Sequence, residues 1–468
     1  MTTTQLHWMD AAEIARRIRD KSLSPVEVTE ACIARIEKLD GALNAFCLPM
    51  FDIARRKARE AEEEQMRGDF RGPLHGVPYA LKDSDDYPGQ LTTVGSLSNA
   101  CNVATGYSPI IERMEKAGAI PLGKTTTPDM AWMGLTWSKI HGMTHNPWDR
   151  SRNPGGSSGG SAVAVATGMT PLATGTDGAG SIRIPASFCG IYGLKPSHGR
   201  IPLLLPNTNH HTHYGPMTRS VEDAALMMEV CSGPDDRDLY SLEDPAPRYV
   251  EHLDKPLTGM RIGWSADLGF VEKIDPEVLA TCEAAARRFE ELGAELVPAG
   301  LDLSGSMEIA KRNWQAIMAA IVFHKLADQV DNLDPALVAC ARGALEQTSG
   351  EFLFDKVKAF PIYQRLVGWF GDHDLLLTPT VACLPVTNGR LRPEDYPEHA
   401  WDWMEWAPFS SPFNVFHNPA ASVPAGLSRD GLPIGLQIVG PRHADALVLQ
   451  ASRAYERIAP WSGQRPPE

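Results

Sequence analysis

Cysteine is sparse in this sequence, and its positions form no ligand or disulfide pattern. The 468 residues contain eight cysteines, which are scattered and include no Cys-x-x-Cys pair. This density excludes a disulfide scaffold, and no close grouping of cysteine and histidine supplies a zinc site. We therefore expect a reduced, cytoplasmic protein with no metal and no other cofactor.

Long apolar runs and an excess of positive charge are also missing. No apolar run is long enough to span a bilayer, and the first residues lack the charged and apolar regions of a signal peptide. Acidic residues outnumber basic ones, 58 to 44, whereas a nucleic-acid surface needs a basic face. We expect no nucleic-acid or membrane partner, a small-molecule substrate, and a homodimer as the default assembly.

The first part of the chain has the pattern of helices. Ser24-Pro25 is typical of a helix start, with Val28, Cys32 and Ile36 recurring every four residues behind it. A second helical stretch covers residues 50–66. We predict that residues 1–70 form a helical segment packed on a core domain made by residues 71–468.

From Pro73 onward, short apolar runs alternate with helical patterns. Strand-like runs occupy residues 77–81, 120–122, 171–174, 375–377, 421–423 and 434–439, and helical patterns occupy 110–117, 161–167 and 444–455. This alternation predicts an α/β fold, with a central twisted, mostly parallel or mixed sheet covered by helices. Residues 301–411 are less regular and rich in tryptophan, which predicts an irregular insertion.

Serine and glycine are concentrated in two neighbouring segments. Residues 153–161 hold three serines and four glycines, and Thr176-Asp177-Gly178-Ala179-Gly180-Ser181 follows. Glycine permits turns in which successive N–H groups form an anion-binding concavity. An amide hydrolase needs such donors beside its nucleophile, because negative charge develops on the carbonyl oxygen.

A serine nucleophile also needs a base, and no histidine lies in these segments. Lys82 ends the apolar run that begins at Gly76, where desolvation disfavours the charged ammonium. To act as a base its pKa must fall from about 10.4 to near neutrality. The residues therefore indicate Lys82 as the strongest candidate for the base.

Several segments together resemble the amidase signature family. They are His75-Gly76-Val77-Pro78 with Lys82-Asp83, Gly123-Lys124-Thr125, Asn146-Pro147-Trp148, the Gly155–Ser161 block, Gly180-Ser181-Ile182-Arg183 and Gly193-Leu194-Lys195-Pro196. The spacing agrees too, with 75 residues from Lys82 to Ser157 and 24 from Ser157 to Ser181. The match runs from about residue 73 to 200 and resumes around 418–440, which implies a single domain of this family's fold.

The resemblance implies a Ser–cis-Ser–Lys triad. Ser181 would be the nucleophile, and Ser157, after a cis peptide bond, would relay its proton to neutral Lys82. The N–H groups of Gly178, Ala179, Gly180 and Ser181 would form the oxyanion hole. Ala179 departs from the glycine of many relatives, which should narrow the hole slightly.

The resemblance also implies a substrate wall. The turn Ala131-Trp132-Met133 and Ser158 should line the pocket near the scissile bond, and Ile184 is a further substrate-binding candidate. The position of Trp401, Trp403 and Trp406 in the irregular region makes them candidates for a pocket roof. The glutaminase components of tRNA-dependent amidotransferases typically have glutamine where Ile184 stands. An apolar residue therefore favours a free-standing amidase acting on amides, with carbamates (urethanes) or esters as further substrates. A glutaminase component that needs a protein partner is the alternative.

Two motifs match the sequence patterns of other enzyme classes, but the residues around them do not fit those classes. Residues 118–125 match a phosphate-binding loop, but a helical pattern precedes them and their middle is apolar, so we interpret them as a helix-to-strand connection. Residues 156–160 match a nucleophile elbow, which would recruit His417 or His443. An elbow follows a strand, whereas the residues before this one are polar and turn-like.

Other reactive side chains receive structural interpretations. The His210-His211-Thr212-His213 cluster lacks a completing ligand, which favours a polar surface loop over a metal site. Cys189 has apolar neighbours and is interpreted as a buried packing thiol. Asp177 and Arg183 flank Ser181 and should pair to hold the turn.

Overall fold

The computed structural model describes residues 6–204 and 211–467. Its helices are α1 Ala11–Arg19, α2 Pro25–Leu43, α3 Phe51–Arg67, α4 Pro109–Lys116, α5 Gly159–Ala166, α6 Arg183–Cys189, α7 Val221–Cys231, α8 Tyr249–His252, α9 Pro276–Arg287, α10 Ser306–Ala319, α11 Pro335–Arg342, α12 Ser349–Trp369, α13 Ser411–Val415 and α14 Asp445–Ile458. Its strands are β1 Phe46–Pro49, β2 Pro78–Lys82, β3 Ile120–Thr125, β4 Trp137–Ser138, β5 Gly142–Met143, β6 Leu172–Asp177, β7 Tyr192–Lys195, β8 His213–Thr218, β9 Arg261–Trp264, β10 Glu295–Pro298, β11 Leu375–Pro379, β12 Ala420–Leu427 and β13 Pro433–Val439.

One mixed sheet of eleven strands organises the molecule. Its order is β1-β3-β2-β6-β8-β7-β12-β13-β11-β9-β10. The pairs β3–β2, β2–β6, β11–β9 and β9–β10 are parallel, whereas the pairs between β6 and β11 are antiparallel. The predicted α/β fold with a helix-covered mixed sheet is confirmed, and its parallel parts lie on either side of an antiparallel middle.

The N-terminal segment contributes to the sheet as well as to the helical layer. Ser24 and Glu27 form a capping box at the start of α2, as Ser24-Pro25 indicates. After α2, the Asp40 carboxylate accepts the N–H groups of Ala45 and Phe46, which turns the chain into β1. Strand β1 then pairs antiparallel with β3. Residues 1–70 are therefore not purely helical, because a four-residue strand is too short to show a period of its own.

The segment 301–411 is more regular than its sequence indicates. It contains α10, a π-helical turn at Ala320–Lys325, α11 and the long α12, which starts at a capping box of Thr348 and Glu351. The prediction of an irregular insertion is wrong for this helical part. Helix α12 contains Pro361 and exposes apolar side chains such as Leu353, so its sequence shows neither an amphipathic stripe nor an uninterrupted helix.

Buried apolar side chains cover both faces of the sheet. One cluster joins α1, α7 and α14 to the strands, and another packs α5 and the N-terminal helices against the opposite surface. Among the helices described, none combines the length and the apolar character that crossing a bilayer requires. The site lies where β2 and β6 end beside each other.

Candidate active site

Two parallel neighbours in the sheet bring the predicted catalytic segments together. Strand β2 ends at Lys82, and β6 ends at Asp177, four residues before Ser181. Carboxyl ends of adjacent parallel strands lie at one edge of a sheet, where α/β proteins place their ligands. The Lys82 N–H donates to Thr174 Oγ1 at 2.9 Å, which fixes the end of β2 against β6.

The Lys82 side chain is fully buried and has two hydroxyl partners. Its Nζ lies 2.7 Å from Ser157 Oγ and 2.7 Å from Thr176 Oγ1. Burial lowers the pKa of Lys82 to about 7, although the charges of Asp85 and Asp177 act in the opposite direction. A substantial fraction of neutral amine is thus available near neutral pH. The sequence did not indicate a role for Thr176, because the residues around it do not predict a contact with a lysine 94 residues away.

Ser157 lies in a tightly enclosed loop before α5. The peptide bond between Gly156 and Ser157 is cis, as the family resemblance implies. A Cβ at Gly156 would lie 2.3 Å from the carbonyl oxygen of Leu135, so this position accommodates glycine only. The Ser158 N–H donates to the carbonyl of Ser181 at 3.2 Å, which joins this loop to the turn that contains Ser181.

The Ser158 hydroxyl is engaged with the backbone of β6. Its Oγ donates to the Thr176 carbonyl and accepts the Thr176 N–H, both at 3.3 Å. The side chain is fully buried. These contacts hold the Ser157 loop onto the strand, and the place of Ser158 in the substrate pocket stays a prediction.

A buried ion pair holds the Ser181 turn. Arg183 Nη2 lies 2.9 Å from Asp177 Oδ1, its Nε lies 2.9 Å from Oδ2, and both side chains are fully buried. Burial by itself raises the pKa of Asp177, but the charge and hydrogen bonds of Arg183, assisted by Lys195, hold that pKa below its usual range. The predicted pairing of Asp177 with Arg183 is confirmed. The sequence did not indicate Asn414, which also donates to Asp177 Oδ1.

The turn leaves three of its four predicted oxyanion donors available. Gly180 N–H donates to Asp177 Oδ1 at 2.7 Å, so it is already satisfied. In residues 6–204 and 211–467, the N–H groups of Gly178, Ala179 and Ser181 have no hydrogen-bond acceptor. The predicted set of four is thus reduced by one, because the same carboxylate that pairs with Arg183 also caps the turn.

The nucleophile candidate is close to its relay but is not hydrogen-bonded to it. Ser181 is 4% exposed, and its Oγ has no hydrogen-bond partner in the described part of the chain. Its backbone is tied to Ser158, the residue after Ser157. A rotation of the Ser181 side chain therefore breaks no existing hydrogen bond.

Apolar side chains form a tryptophan cluster beside the turn. We use this name for Trp132, Met133, Ala179, Ile184, Trp314, Trp403 and Trp406, which pack together in one buried group. The Trp314 Nε1–H donates to the carbonyl of Trp132 at 3.0 Å. Four predicted substrate-site or oxyanion residues and two of the three predicted roof tryptophans thus meet here. The third, Trp401, is partly buried and packs against the same group. Trp314 was not anticipated, since it belongs to the helix that sequence reasoning missed.

The turn before Trp132 has a strained backbone. Met130 and Ala131 have φ values of 51° and 53°, in the left-handed region that residues with side chains rarely occupy. Such strain persists only where surrounding structure enforces it, and it concentrates at ligand sites. Ala131 is half-buried, and the chain enters the tryptophan cluster at the next residue.

The two motifs from other enzyme classes lie in different contexts from those enzymes. Helix α4 ends at Lys116, and residues 120–125 form β3, so the predicted helix-to-strand connection is confirmed. Ser158, the serine of the elbow pattern, precedes helix α5, but no strand of the described residues leads directly into it. Cys189 is buried, and burial raises the pKa of its thiol well above the usual value, as befits a packing residue.

The histidine cluster is only partly a surface feature. His213 is buried at the start of β8, where its Nδ1 lies 3.2 Å from the Asp177 carbonyl, so the interpretation as a surface loop is wrong for this residue. His211 is half-buried, and His210 lies outside the described residues. Buried histidine needs a hydrogen-bond partner, and the end of β6 provides one.

One group of side chains has the composition of a metal site. Ligand atoms of Cys47, Asp83 and His141 lie within 4.8 Å of one another. The Asp83 carboxylate already accepts hydrogen bonds from the Thr93 hydroxyl and from the N–H groups of Thr93 and Gly95. These bonds account for the burial of the carboxylate without a cation.

Comparison with known proteins gives a consistent family assignment. The family model described as Amidase matches residues 27–449. An acylamidase of Rhodococcus erythropolis is 37% identical over 480 residues, covering 100% of this chain and 98% of that protein. The A component of the glutamyl-tRNA(Gln) amidotransferase of Thioalkalivibrio sulfidiphilus is 33% identical over 98% of this chain and 99% of that protein. The crystal structure of a bacterial aryl acylamidase superposes with a TM-score of 0.90 at 34% identity, covering 98% of each chain. This chain therefore belongs to the amidase signature family of enzymes that hydrolyse amide bonds.

Proposed function

We propose that this enzyme is a free-standing amidase that works through a seryl acyl-enzyme, with Ser181 as nucleophile. The observation that carries the proposal is the 2.7 Å contact between Lys82 Nζ and Ser157 Oγ in a fully buried setting. A lysine whose pKa is about 7 has a neutral form that accepts a proton at physiological pH.

The proton moves in two steps as the carbonyl is attacked. Lys82 takes the Ser157 proton, and Ser157 takes the proton of Ser181 while Ser181 Oγ bonds to the carbonyl carbon. The C–N bond then breaks, and the same relay returns a proton to the leaving amine. Water repeats the sequence on the acyl-enzyme, which releases the carboxylic acid and restores Ser181.

The oxyanion is stabilised by the turn that precedes and includes Ser181. Three N–H groups, those of Gly178, Ala179 and Ser181, have no acceptor in the described part of the chain and so are free to donate to the carbonyl oxygen. Removing one such donor typically costs about a hundredfold or more in rate. Gly180 serves the turn instead, through its bond to Asp177.

The tryptophan cluster supports an apolar acyl group. Ile184 and Ala179 lie in it, and both are buried. An apolar wall beside the oxyanion turn suits alkyl or aryl acyl groups better than a zwitterion such as glutamine. We include carbamates and activated esters as substrates, since both present the same carbonyl to Ser181.

A glutaminase that works inside an amidotransferase is the second candidate. It is favoured by the 33% identity to an amidotransferase component over almost the whole chain. Such a component would hydrolyse glutamine and need a partner protein to use the ammonia. Turnover of anilides by the purified chain, together with inertness towards glutamine, would exclude it.

The test is a panel of anilides, primary amides, 4-nitrophenyl esters, aryl carbamates and glutamine. Wild type is compared with Ser181→Ala, Ser157→Ala and Lys82→Met. The matched control is Ser187→Ala, a buried serine whose hydroxyl has no hydrogen-bond partner in the described structure. We expect amide turnover to fall by at least a hundredfold in the first three and to persist in the control. Near-normal amide turnover by Lys82→Met would contradict the mechanism.

We also propose a cytoplasmic location and a homodimeric state. All eight cysteines are free, and six of them are buried, an arrangement that suits a reducing compartment. Light scattering on the purified chain gives the assembly directly, and a monomer mass at micromolar concentration would contradict the dimer.

A further inference from the structure

A large cavity opens beside the site without containing Ser181. Its volume is about 570 Å³, within the usual range for ligand pockets. Its polar lining includes His198, His211, Asn313, Lys356, His417 and Arg442. We call it the histidine cavity.

Two residues that line the histidine cavity are chain neighbours of residues that contact the oxyanion turn. Asn313 lines it, and the indole of Trp314 lies 3.1 Å from the place a Cβ would take on Gly178. His211 lines it too, and Thr212 Oγ1 lies 3.0 Å from that same place. Gly178 thus lies between Ala179, which packs in the tryptophan cluster, and Thr212, the neighbour of a residue that lines the histidine cavity, and Trp314 stands at the boundary of the two regions.

An amide bound at this turn extends in two directions. The acyl group and the amine leave the carbonyl carbon on opposite sides. If the apolar cluster takes the acyl group, as proposed above, the amine points towards the histidine cavity. This step depends on the proposed function, because it requires the carbonyl oxygen to sit at residues 178–181.

The charge of the cavity lining is of one sign. Lys356 and Arg442 are its ionised side chains, and no carboxylate lines it in the described structure, although the chain as a whole has a net charge of −14. Arg442 is held in place by Tyr363, whose hydroxyl accepts from Nη1 at 3.1 Å. A concave surface with cations alone attracts anions.

His417 lines the cavity and has a backbone in the left-handed region. It has a φ of 64°, and its buried Nδ1 has no hydrogen-bond partner in the described part of the chain. Burial holds its pKa well below the usual value, and the neighbours His198, His211, Lys195 and Arg442 act in the same direction. Asn313 is 8% exposed and also has an unpaired oxygen, Oδ1. These two unpaired atoms lie beneath the cavity surface, so the polar groups that a ligand can reach are the charged ends of Lys356 and Arg442.

Apolar groups complete the cavity and favour an aromatic occupant. Ile309 and Phe416 are buried in its wall, and Phe360 stands at its margin with 61% of its surface exposed. Apolar side chains bind an aromatic ring by burying its surface, and phenylalanine also stacks on it in edge-to-face or offset geometry.

We propose that the histidine cavity binds the amine half of the substrate and selects an aryl amine that bears an anionic substituent. The ring packs on the apolar wall, and Arg442, assisted by Lys356, pairs with the anion. The carboxylated anilides are the substrate class that this arrangement fits best.

The experiment compares two matched substrate pairs. In one, 4-acetamidobenzoate is set against 4-methylacetanilide, so the carboxylate is on the amine side. In the other, succinic acid monoanilide is set against butyranilide, so the carboxylate is on the acyl side. We expect wild type to prefer the carboxylate only in the first pair. The ratio of kcat/KM within that pair should fall about tenfold in Arg442→Gln, the size of one hydrogen bond to a charged group.

Arg429→Gln is the control, because it removes an exposed arginine that does not line the cavity. It should leave both ratios unchanged. 4-Aminobenzoate should inhibit wild type competitively and more strongly than 4-methylaniline does. An unchanged ratio in Arg442→Gln, or a preference for the carboxylate on the acyl side, would overturn the assignment of the cavity. Failure of wild type to hydrolyse any of the four anilides would instead refute the proposed function.

Discussion

The hydroxyl of Thr176 lies 2.7 Å from Lys82 Nζ, on the strand that leads into the Ser181 turn. Lys82, the proposed base, thus contacts a residue of each serine segment, Ser157 in one and Thr176 in the other. Because Thr176 belongs to β6 and Lys82 ends β2, the parallel pairing of these strands sets the position of the amine. We therefore propose that Thr176 is a positioning residue for Lys82.

Replacing Thr176 by valine should slow catalysis, because it removes one hydrogen-bond acceptor of the Lys82 amine. The substitution leaves one buried N–H of Lys82 without a partner, which costs about 1–3 kcal/mol. We expect the plateau of kcat/KM to fall about tenfold and the pKa of its alkaline rise to decrease, since a lost acceptor disfavours the ammonium. Thr176→Ser should restore both. An unchanged pH profile in Thr176→Val would show that this threonine only fills space.

The pH dependence of kcat/KM should follow the ionisation of the Lys82 amine. Its pKa is about 7, and only the neutral amine accepts a proton, so kcat/KM should rise as pH increases through about 7. Below that pH the activity should fall tenfold per pH unit, as one protonation requires. The measurement is kcat/KM for a neutral anilide across this range. A rise that persists in Lys82→Met would assign the ionisation to another group.

Breaking the buried pair of Asp177 and Arg183 should unfold the turn. Removing one partner of such a pair leaves an uncompensated buried charge and costs about 3–5 kcal/mol. We expect Asp177→Asn to lower the free energy of unfolding in urea by that amount and to abolish turnover. Asp149→Asn, at a more exposed carboxylate, is the control and should change stability by less than about 1 kcal/mol. A stable but inactive Asp177→Asn would show that the pair serves catalysis alone.

Ile184 should determine which acyl groups are accepted. Its side chain is fully buried in the tryptophan cluster, and a glutamine there would bury an amide at a cost of about 1–3 kcal/mol. We expect Ile184→Gln to lower the melting temperature and to reduce kcat/KM more for butyranilide than for acetanilide. Ile184→Val keeps the apolar character and should have a small effect on both. Equal losses on the two anilides would place the acyl group elsewhere.

The sequence predicted the parts of the site that depend on local chemistry. Glycines around Ser157 and Ser181 indicated tight turns, and an apolar run ending in Lys82 indicated a buried base. The contacts it could not supply join residues far apart in the chain. Thr176 reaches Lys82 and Asn414 reaches Asp177 only because of strand pairing and helix packing.

The predictions for the Gly180 N–H group and for helix α12 were wrong for physical reasons that the sequence does not show. The N–H of Gly180 is taken by a carboxylate three residues earlier, and the sequence cannot show which donors of a turn are already used. The sequence did not predict helix α12, because Pro361 interrupts its helical pattern and its exposed apolar side chains leave no clear polar face. One of these exposed side chains, Phe360, also lines the histidine cavity, together with Lys356, Ala359 and Tyr363 of the same helix.

Strand β1 has a consequence for any shortened form of the protein. It covers the outer side of β3, with Leu48 opposite Lys124 and Pro49 opposite Gly123, and so forms one margin of the eleven-stranded sheet. Deleting the first seventy residues would leave the unpaired N–H and C=O groups of β3 open to another chain, a template for intermolecular pairing. We therefore expect a form that lacks the N-terminal segment to self-associate through the exposed edge of β3.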